Sequence, residues 1–216
     1  MPAKIILLRH GEKPTGPQSS FHLSDVGVRR SHALAKQYLG KGASHSLFDR
    51  GEEPAAFFAN TLHCVETISP SAESWGKPVI AYTVVPPPKG GEAKDLALHI
   101  RTQQVAADLL RHRWKGKTLV VAWEHKHIAS ALLDKKHAEA VTLRQLLGLD
   151  AFADVPHTWP AETFDYFWII AFGKSGKPKH FEKIRQDFTG SYRDLPHNDW
   201  GKPEKAASGK HKTRGA

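Results

Sequence analysis

The sequence predicts an α/β fold, a three-layer sandwich in which a mostly parallel central sheet is flanked by helices. Two observations carry this. Residues 5–8 (Ile-Ile-Leu-Leu) and 119–123 (Leu-Val-Val-Ala-Trp) are unbroken apolar runs, as expected of strands buried on both faces in a parallel sheet. Around them, strand-like runs alternate with stretches of helical periodicity, the pattern of helices covering both faces of one sheet.

The elements follow in order. Residues 4–8 form a short buried strand. Ser24 is placed to cap a helix that runs to about residue 39, where Gly40 ends it. Residues 55–60 are a second apolar run, and 66–75 a short helix stopped by Gly76. A β-rich stretch over 79–85 must end at Pro86-Pro87-Pro88, because proline cannot donate to a ladder. A long helix is expected over 92–114, with Leu98, Val105 and Leu109 on one face. Residues 118–123 form another apolar strand, followed by helices over 128–135 and 138–147. The runs 164–172 and 180–188 flank a turn at 173–178 and read as a closing hairpin. Residues 1–201 are expected to form a single domain, and 202–216 a basic tail.

Composition narrows the class. The chain has 216 residues, 40% hydrophobic and 25% charged, which is ordinary globular usage and excludes wholesale disorder. One cysteine, Cys64, excludes an internal disulfide framework and points to a reducing, cytoplasmic setting. No apolar run approaches the ~20 residues of a membrane span, so no membrane partner is expected. The first residues lack the pattern of a signal peptide. The net charge is 31 − 22 = +9, of which the tail carries +4 through five Lys/Arg against one Glu. That tail has no large apolar residue and reads as solvated and disordered, or as an arm that concentrates an acidic substrate. The remaining +5 does not by itself argue for nucleic acid.

The two buried strands end alike. The first delivers Arg9-His10-Gly11-Glu12, the second Glu124-His125-Lys126-His127. Open α/β sheets bind ligands beyond the carboxyl ends of their strands, so the two histidines are placed to face one small ligand. A neutral imidazole is a competent nucleophile near pH 7, and an adjacent arginine offers a rigid fork of donors for phosphate oxygens. Gly11 allows a sharp turn and a close approach of ligand to backbone. His125 and His127 could instead be two metal ligands, but no third ligand stands at convincing spacing. Cys64 reads as a buried small residue.

Arg9-His10-Gly11-Glu12-Lys13-Pro14, followed by Leu23-Ser24-Asp25-Val26-Gly27-Val28-Arg29-Arg30, resembles the opening of the histidine phosphatase (phosphoglycerate-mutase-like) superfamily. Thr61-Leu62-His63-Cys64-Val65-Glu66-Thr67 is similar to that family's second block, and Trp123-Glu124-His125 to its last. The resemblance implies that His10 attacks phosphorus and becomes a phosphohistidine, which water then hydrolyses. It implies that Arg9 and His125 bind the phosphoryl group, and that no metal or organic cofactor is required. The family's second arginine falls at the position of His63, here a weakened phosphate contact. The proton donor would be Glu92, which follows Gly90-Gly91, or its rival Glu124.

The implied activity is a phosphomonoester hydrolase acting on a small phosphorylated substrate or a phosphoprotein, with mutase activity a variant. The alternative is a weakened pseudo-phosphatase that binds a phosphorylated ligand, motivated by His63. A third reading is a nucleic-acid-associated protein recruited by its tail. Substrate identity and oligomeric state are not legible in one chain.

Overall fold

The computed structural model describes residues 1–15, 21–84 and 92–201, the side chains of residues 92 and 93 excepted. The tail 202–216, the triple proline and Gly90-Gly91 lie outside the described residues.

Six strands form one mixed sheet. In chain order they are β1 (Lys4–Arg9), β2 (Pro54–Ala59), β3 (Val79–Ala81), β4 (Thr118–Trp123), β5 (Tyr166–Phe172) and β6 (Pro178–Arg185), arranged β3-β2-β4-β1-β5-β6. The pairs β2/β3, β2/β4 and β1/β4 are parallel, and β1/β5 and β5/β6 antiparallel. Strands β1 and β4 therefore sit at the centre, and both are buried along nearly their whole length. Register aligns Arg9 with Trp123 and Ala59 with Ala122, so β1, β4 and β2 end level at one edge of the sheet.

Successive side chains of these strands point to opposite faces, and each face carries its own core. On one side Ile6, Leu8, Phe57, Val120 and Ala122 pack with Leu34, Tyr38, Cys64 and Ile68, contributed by α1 (Asp25–Leu34), its π-helical extension Ala35–Leu39, and α2 (Leu62–Trp75). On the other, Ile5, Leu7, Phe58, Val121 and Trp123 pack with Val105, Leu109 and Leu143 from α3 (Glu92–Leu109) and from a short helix, Leu143–Leu146. Trp123 Nε1 donates to Thr102 Oγ1 at 3.0 Å, tying α3 to β4. Three layers result.

The local rules hold where caps are clear. Ser24 accepts from Gly27 N at the start of α1, and Gly40 ends its extension. Several boundaries differ from the expectation, four of them at helix starts that a side chain caps. Helix α2 begins at Leu62 rather than 66, because Thr61 accepts from Cys64 N; this places His63 in the first helical turn. α3 stops at Leu109, and residues 112–114 form a separate 3₁₀ turn. The helix expected over 128–135 is two helices, α4 (His125–Ile128), capped by Glu124, and α5 (Ala131–Lys136), capped by Ser130. The helix expected over 138–147 is only α6 (Leu143–Leu146), capped by Thr142. β3 is three residues long.

Candidate active site

A cavity of about 650 Å³ opens at the level edge of the sheet. Strand β1 brings His10 and Lys13 to it, β4 brings Glu124, Lys126 and His127, and the start of α2 brings Thr61, Leu62 and His63. Asp95 and Leu98 of α3 close the far wall. Glu66 of α2 holds the loop bearing Phe21 and His22 beside the cavity, accepting from Leu23 N at 2.7 Å and lying 2.5 Å from His22 Nδ1.

His10 is buried, 2% exposed. Its Nδ1 lies 2.7 Å from the carbonyl oxygen of Gly11. A carbonyl can only accept, so Nδ1 carries the proton and the lone pair is on Nε2. Among the described residues Nε2 has no hydrogen-bond partner. Burial, and then the neighbouring charge of Arg9, push the His10 pKa well below its ordinary value, so the ring stays neutral at neutral pH. The ring stands 5.6 Å from that of His63 and edge-on to Phe164 at 6.1 Å.

The loop that holds His10 is fixed from below. Gly11 N donates to Thr67 Oγ1 at 2.8 Å. Glu12 forms a two-pronged pair with Arg30 of α1, with Nε 3.0 and 2.9 Å from its two oxygens. Arg30 also donates to Pro196 O at 2.6 Å. The backbone adds a steric reason for glycine at 11 and 27: a Cβ on Gly11 would lie 3.2 Å from Gly27 Cα, and one on Gly27 only 2.3 Å from Glu12 O. The close approach is between the loop and α1, both backbone.

Arg9, 3% exposed, packs flat on Phe164 with Cζ 3.7 Å from the ring centroid. Its NH1 donates to the carbonyls of Pro160, Ala161 and Thr163 at 3.3, 2.5 and 3.2 Å. Its fixed charge is felt by His10 and helps to lower that ring's pKa.

Glu124 is organised differently. Its Oε2 accepts from Lys126 N at 2.9 Å and His127 N at 3.3 Å, capping α4. The carboxylate also faces both neighbouring imidazoles, with Oε1 2.8 Å from His125 Nδ1, close in distance though not aligned as a hydrogen bond, and Oε2 3.2 Å from His127 Nδ1. Burial opposes its ionisation, but contact with His125 and His127 outweighs that and keeps the Glu124 pKa well below the usual carboxylate range. Both histidines thus turn Nδ1 toward one carboxylate. Among the described residues no cluster of three His, Cys, Asp or Glu is arranged to hold a metal ion.

Of the six residues singled out in the sequence, His10, His63 and Glu124 line the cavity. Neither Arg9 nor His125 is among the lining residues. Glu92 opens α3, and its side chain lies outside the described residues. Cys64 is buried; burial pushes its thiol up to about 11, and the thiol donates to Asn60 Oδ1 at 3.2 Å. The sequence alone did not assign Lys13 or Asp95 to the site, and it offered His127 only as a metal ligand. Lys13 had a legible signal: it directly follows the Arg9–Glu12 string at a strand end. A second cavity, about 630 Å³, lies along α3 between His99 and His137 and holds no residue of either strand end.

No family model matches the sequence, and no curated protein matches it. Among solved structures, the chain is similar to the protein histidine phosphatase SixA complexed with tungstate, at 15% identity and a TM-score of 0.48, covering 85% of this chain and 97% of that one. It is also similar to the native mycobacterial glucosyl-3-phosphoglycerate phosphatase Rv2419c, at 14% identity and a TM-score of 0.46, covering 87% and 99%. The likeness is one of architecture. What the site can do follows from its own geometry.

Proposed function

We propose that the chain is a phosphomonoester hydrolase in which His10 is the nucleophile. The observation that carries this is the state of one side chain: a buried imidazole whose Nδ1 proton is held by Gly11 O and whose Nε2 lone pair is kept unprotonated. In the first step Nε2 attacks phosphorus, the P–N bond forms, and the ester P–O bond breaks as the leaving oxygen takes a proton. In the second, water attacks phosphorus, the P–N bond breaks, and inorganic phosphate leaves as His10 returns to neutral. Arg9, in this reading, supplies fixed positive charge to the phosphoryl oxygens. His63 offers a pH-dependent donor from the side. His125 completes the pocket once substrate is bound, steered by Glu124. No step requires a metal.

Glu124 is a poor proton donor in this scheme, because it is held ionised by its two histidines. We assign it the positioning of His125 and His127. Proton donation then falls to the start of α3, to Glu92 first and Asp95 second. The weaker alternative, a phosphate-ester binder with little turnover, rests on His63. Loss of one preorganised donor costs about 10²–10³ in rate.

The test is turnover of 4-nitrophenyl phosphate and of an alkyl phosphate, with and without EDTA. His10→Ala should remain folded and lose at least about 10⁴-fold in kcat. Glu92→Gln should slow the alkyl ester far more than the nitrophenyl ester, whose leaving group needs little protonation. Glu124→Gln should slow both alike. Near wild-type turnover by His10→Ala contradicts the mechanism, and loss of wild-type activity in EDTA revives a metal reading.

A further inference from the structure

We propose that residues 202–216 are a basic arm that grips an acidic segment of a protein substrate whose phosphoryl group enters the His10 cavity. This rests on the hydrolase reading above. Its ground is the place where the described chain ends. Strand β5 runs antiparallel to β1 with Trp168 opposite Leu7, so the loop entering β5 lies at the same edge of the sheet as Arg9 and His10. The last described residues are fastened onto that loop. Asn198 N donates to Asp165 Oδ2 at 3.0 Å, and Asn198 Nδ2 donates to Glu162 O at 3.0 Å. The Trp200 ring packs against those of Trp159 and Tyr166, with centroids 5.1 and 5.2 Å away. Gly201 N donates to Thr163 Oγ1 at 3.3 Å. From there the contacts lead to His10 in two steps. Thr163 O accepts from Arg9 NH1, and Phe164, the next residue, sets its ring 6.1 Å from that of His10.

Charge and composition identify what the arm holds. It carries Lys202, Lys205, Lys210, Lys212 and Arg214 against Glu204 alone. Extended at about 3.5 Å per residue, an arm of this length reaches about 50 Å from Gly201, past the cavity and along a chain bound there. Three lysines, Lys13, Lys94 and Lys126, already line the cavity, so five further cations exceed what a small doubly charged monoester can use. They match a run of carboxylates beside a phosphorylated residue, whose encounter a field of opposite sign would steer. Nucleic acid is the poorer fit. Proteins that hold single strands without sequence preference stack the bases on aromatic side chains, and the arm has no Phe, Tyr or Trp. Interior nucleic-acid phosphates are also diesters, not the monoester of the proposed reaction.

The experiment follows, by fluorescence anisotropy, a labelled aspartate-rich peptide that bears a non-hydrolysable phosphonate in place of phosphoserine. Wild type is compared with a full-length variant carrying Lys202→Gln, Lys205→Gln, Lys210→Gln, Lys212→Gln and Arg214→Gln together. At low salt the variant should bind this peptide about tenfold or more weakly. In molar salt, where the Debye length is about 3 Å, the two should bind alike, which also shows the cavity intact in the variant. A phosphonate peptide with serine in place of the aspartates should bind both proteins within about twofold of each other. The acidic peptide without phosphonate should bind wild type at least about tenfold more weakly, because arm and cavity hold one ligand together. Equal binding by variant and wild type at low salt overturns the proposal. So does an equal loss on both phosphonate peptides, or indifference to the phosphonate, which would set the arm's target away from the cavity. Tighter arm-dependent binding of a labelled single-stranded DNA than of the acidic peptide overturns it in favour of nucleic acid. Arm-dependent peptide binding by a chain that never labels His10 leaves the arm standing and overturns the hydrolase reading instead.

Discussion

The ends of β1 and β4 carry the same sequence pattern, an apolar strand delivering a charged residue and then a histidine, yet they are built in different ways. At the end of β1 the charge is turned into backbone carbonyls, and the histidine is locked in one tautomer by Gly11 O. The loop beyond is clamped to α1 by the Glu12–Arg30 pair and by two glycines in backbone contact. At the end of β4 the charge is a helix cap, and it faces two imidazoles at once. The first end is rigid and keeps its histidine neutral. The second is a polar hub that keeps its carboxylate ionised. Strand-plus-histidine is therefore not one structural unit: the surroundings of the charged neighbour decide whether the imidazole is held in one neutral tautomer or faces a carboxylate.

The contrast can be broken at its stiffest point. Glu12 and Arg30 are both buried, at 8% and 1% exposure, so removing one partner leaves an uncompensated charge. Glu12→Ala should cost about 3–5 kcal/mol of folding stability by urea denaturation. Gly27→Ala would set a Cβ 2.3 Å from Glu12 O and should cost about 3 kcal/mol, with activity lost alongside because His10 moves with the loop. If Gly27→Ala were neutral, the clamp would not be what holds β1's end.

At the β4 end the expected losses are smaller. Glu124→Gln keeps one capping oxygen but loses the charge, and should cost about 1 kcal/mol at neutral pH. The carboxyl's pKa is depressed in the folded state, so this stability is present above the ordinary carboxylate value and is lost as pH falls through the folded one. Wild type and Glu124→Gln should converge in stability in acid. A constant gap down to the acid transition would show that the histidines do not hold the charge.

The smallest effect sharpens the comparison through His10. Its pKa is depressed by burial and Arg9, so the unfolded chain takes up a proton near pH 6.5 that the folded chain refuses. Stability should therefore decline as pH falls below about 6.5, and His10→Ala should reduce that slope, the depressed pKa of His99 supplying part of the remainder. In the same range kcat/KM should persist if His10 is the nucleophile we propose, since its ring stays unprotonated. Half-loss of kcat/KM at about pH 6.5 would mean an unperturbed imidazole.

Much of this was legible in the sequence. The unbroken apolar runs mark β1 and β4 because both faces of each are covered, and Ser24, Gly40 and Gly76 punctuate helices as local chemistry requires. Glu124 and Thr142 cap four-residue helices, which have no period to read, and Thr61 starts α2 about one turn before the point at which the helix was expected. His10 and Glu124 stood out at strand ends. The role of Glu12 did not, because its partner Arg30 is one of two adjacent arginines and only the fold separates the buried one from Arg29, which pairs with Asp194 at the surface. His127 was hidden similarly, since its distance from Glu124 becomes contact only once α4 forms.

The most direct measurement is a rapid quench into alkali with a ³²P-labelled phosphomonoester, followed by mapping of the label on the intact chain. The account predicts a base-stable, acid-labile phosphoramidate on His10, formed and discharged at rates that match turnover and absent from His10→Ala. Label on another residue, or multiple turnovers with no labelled protein at any time, would contradict it.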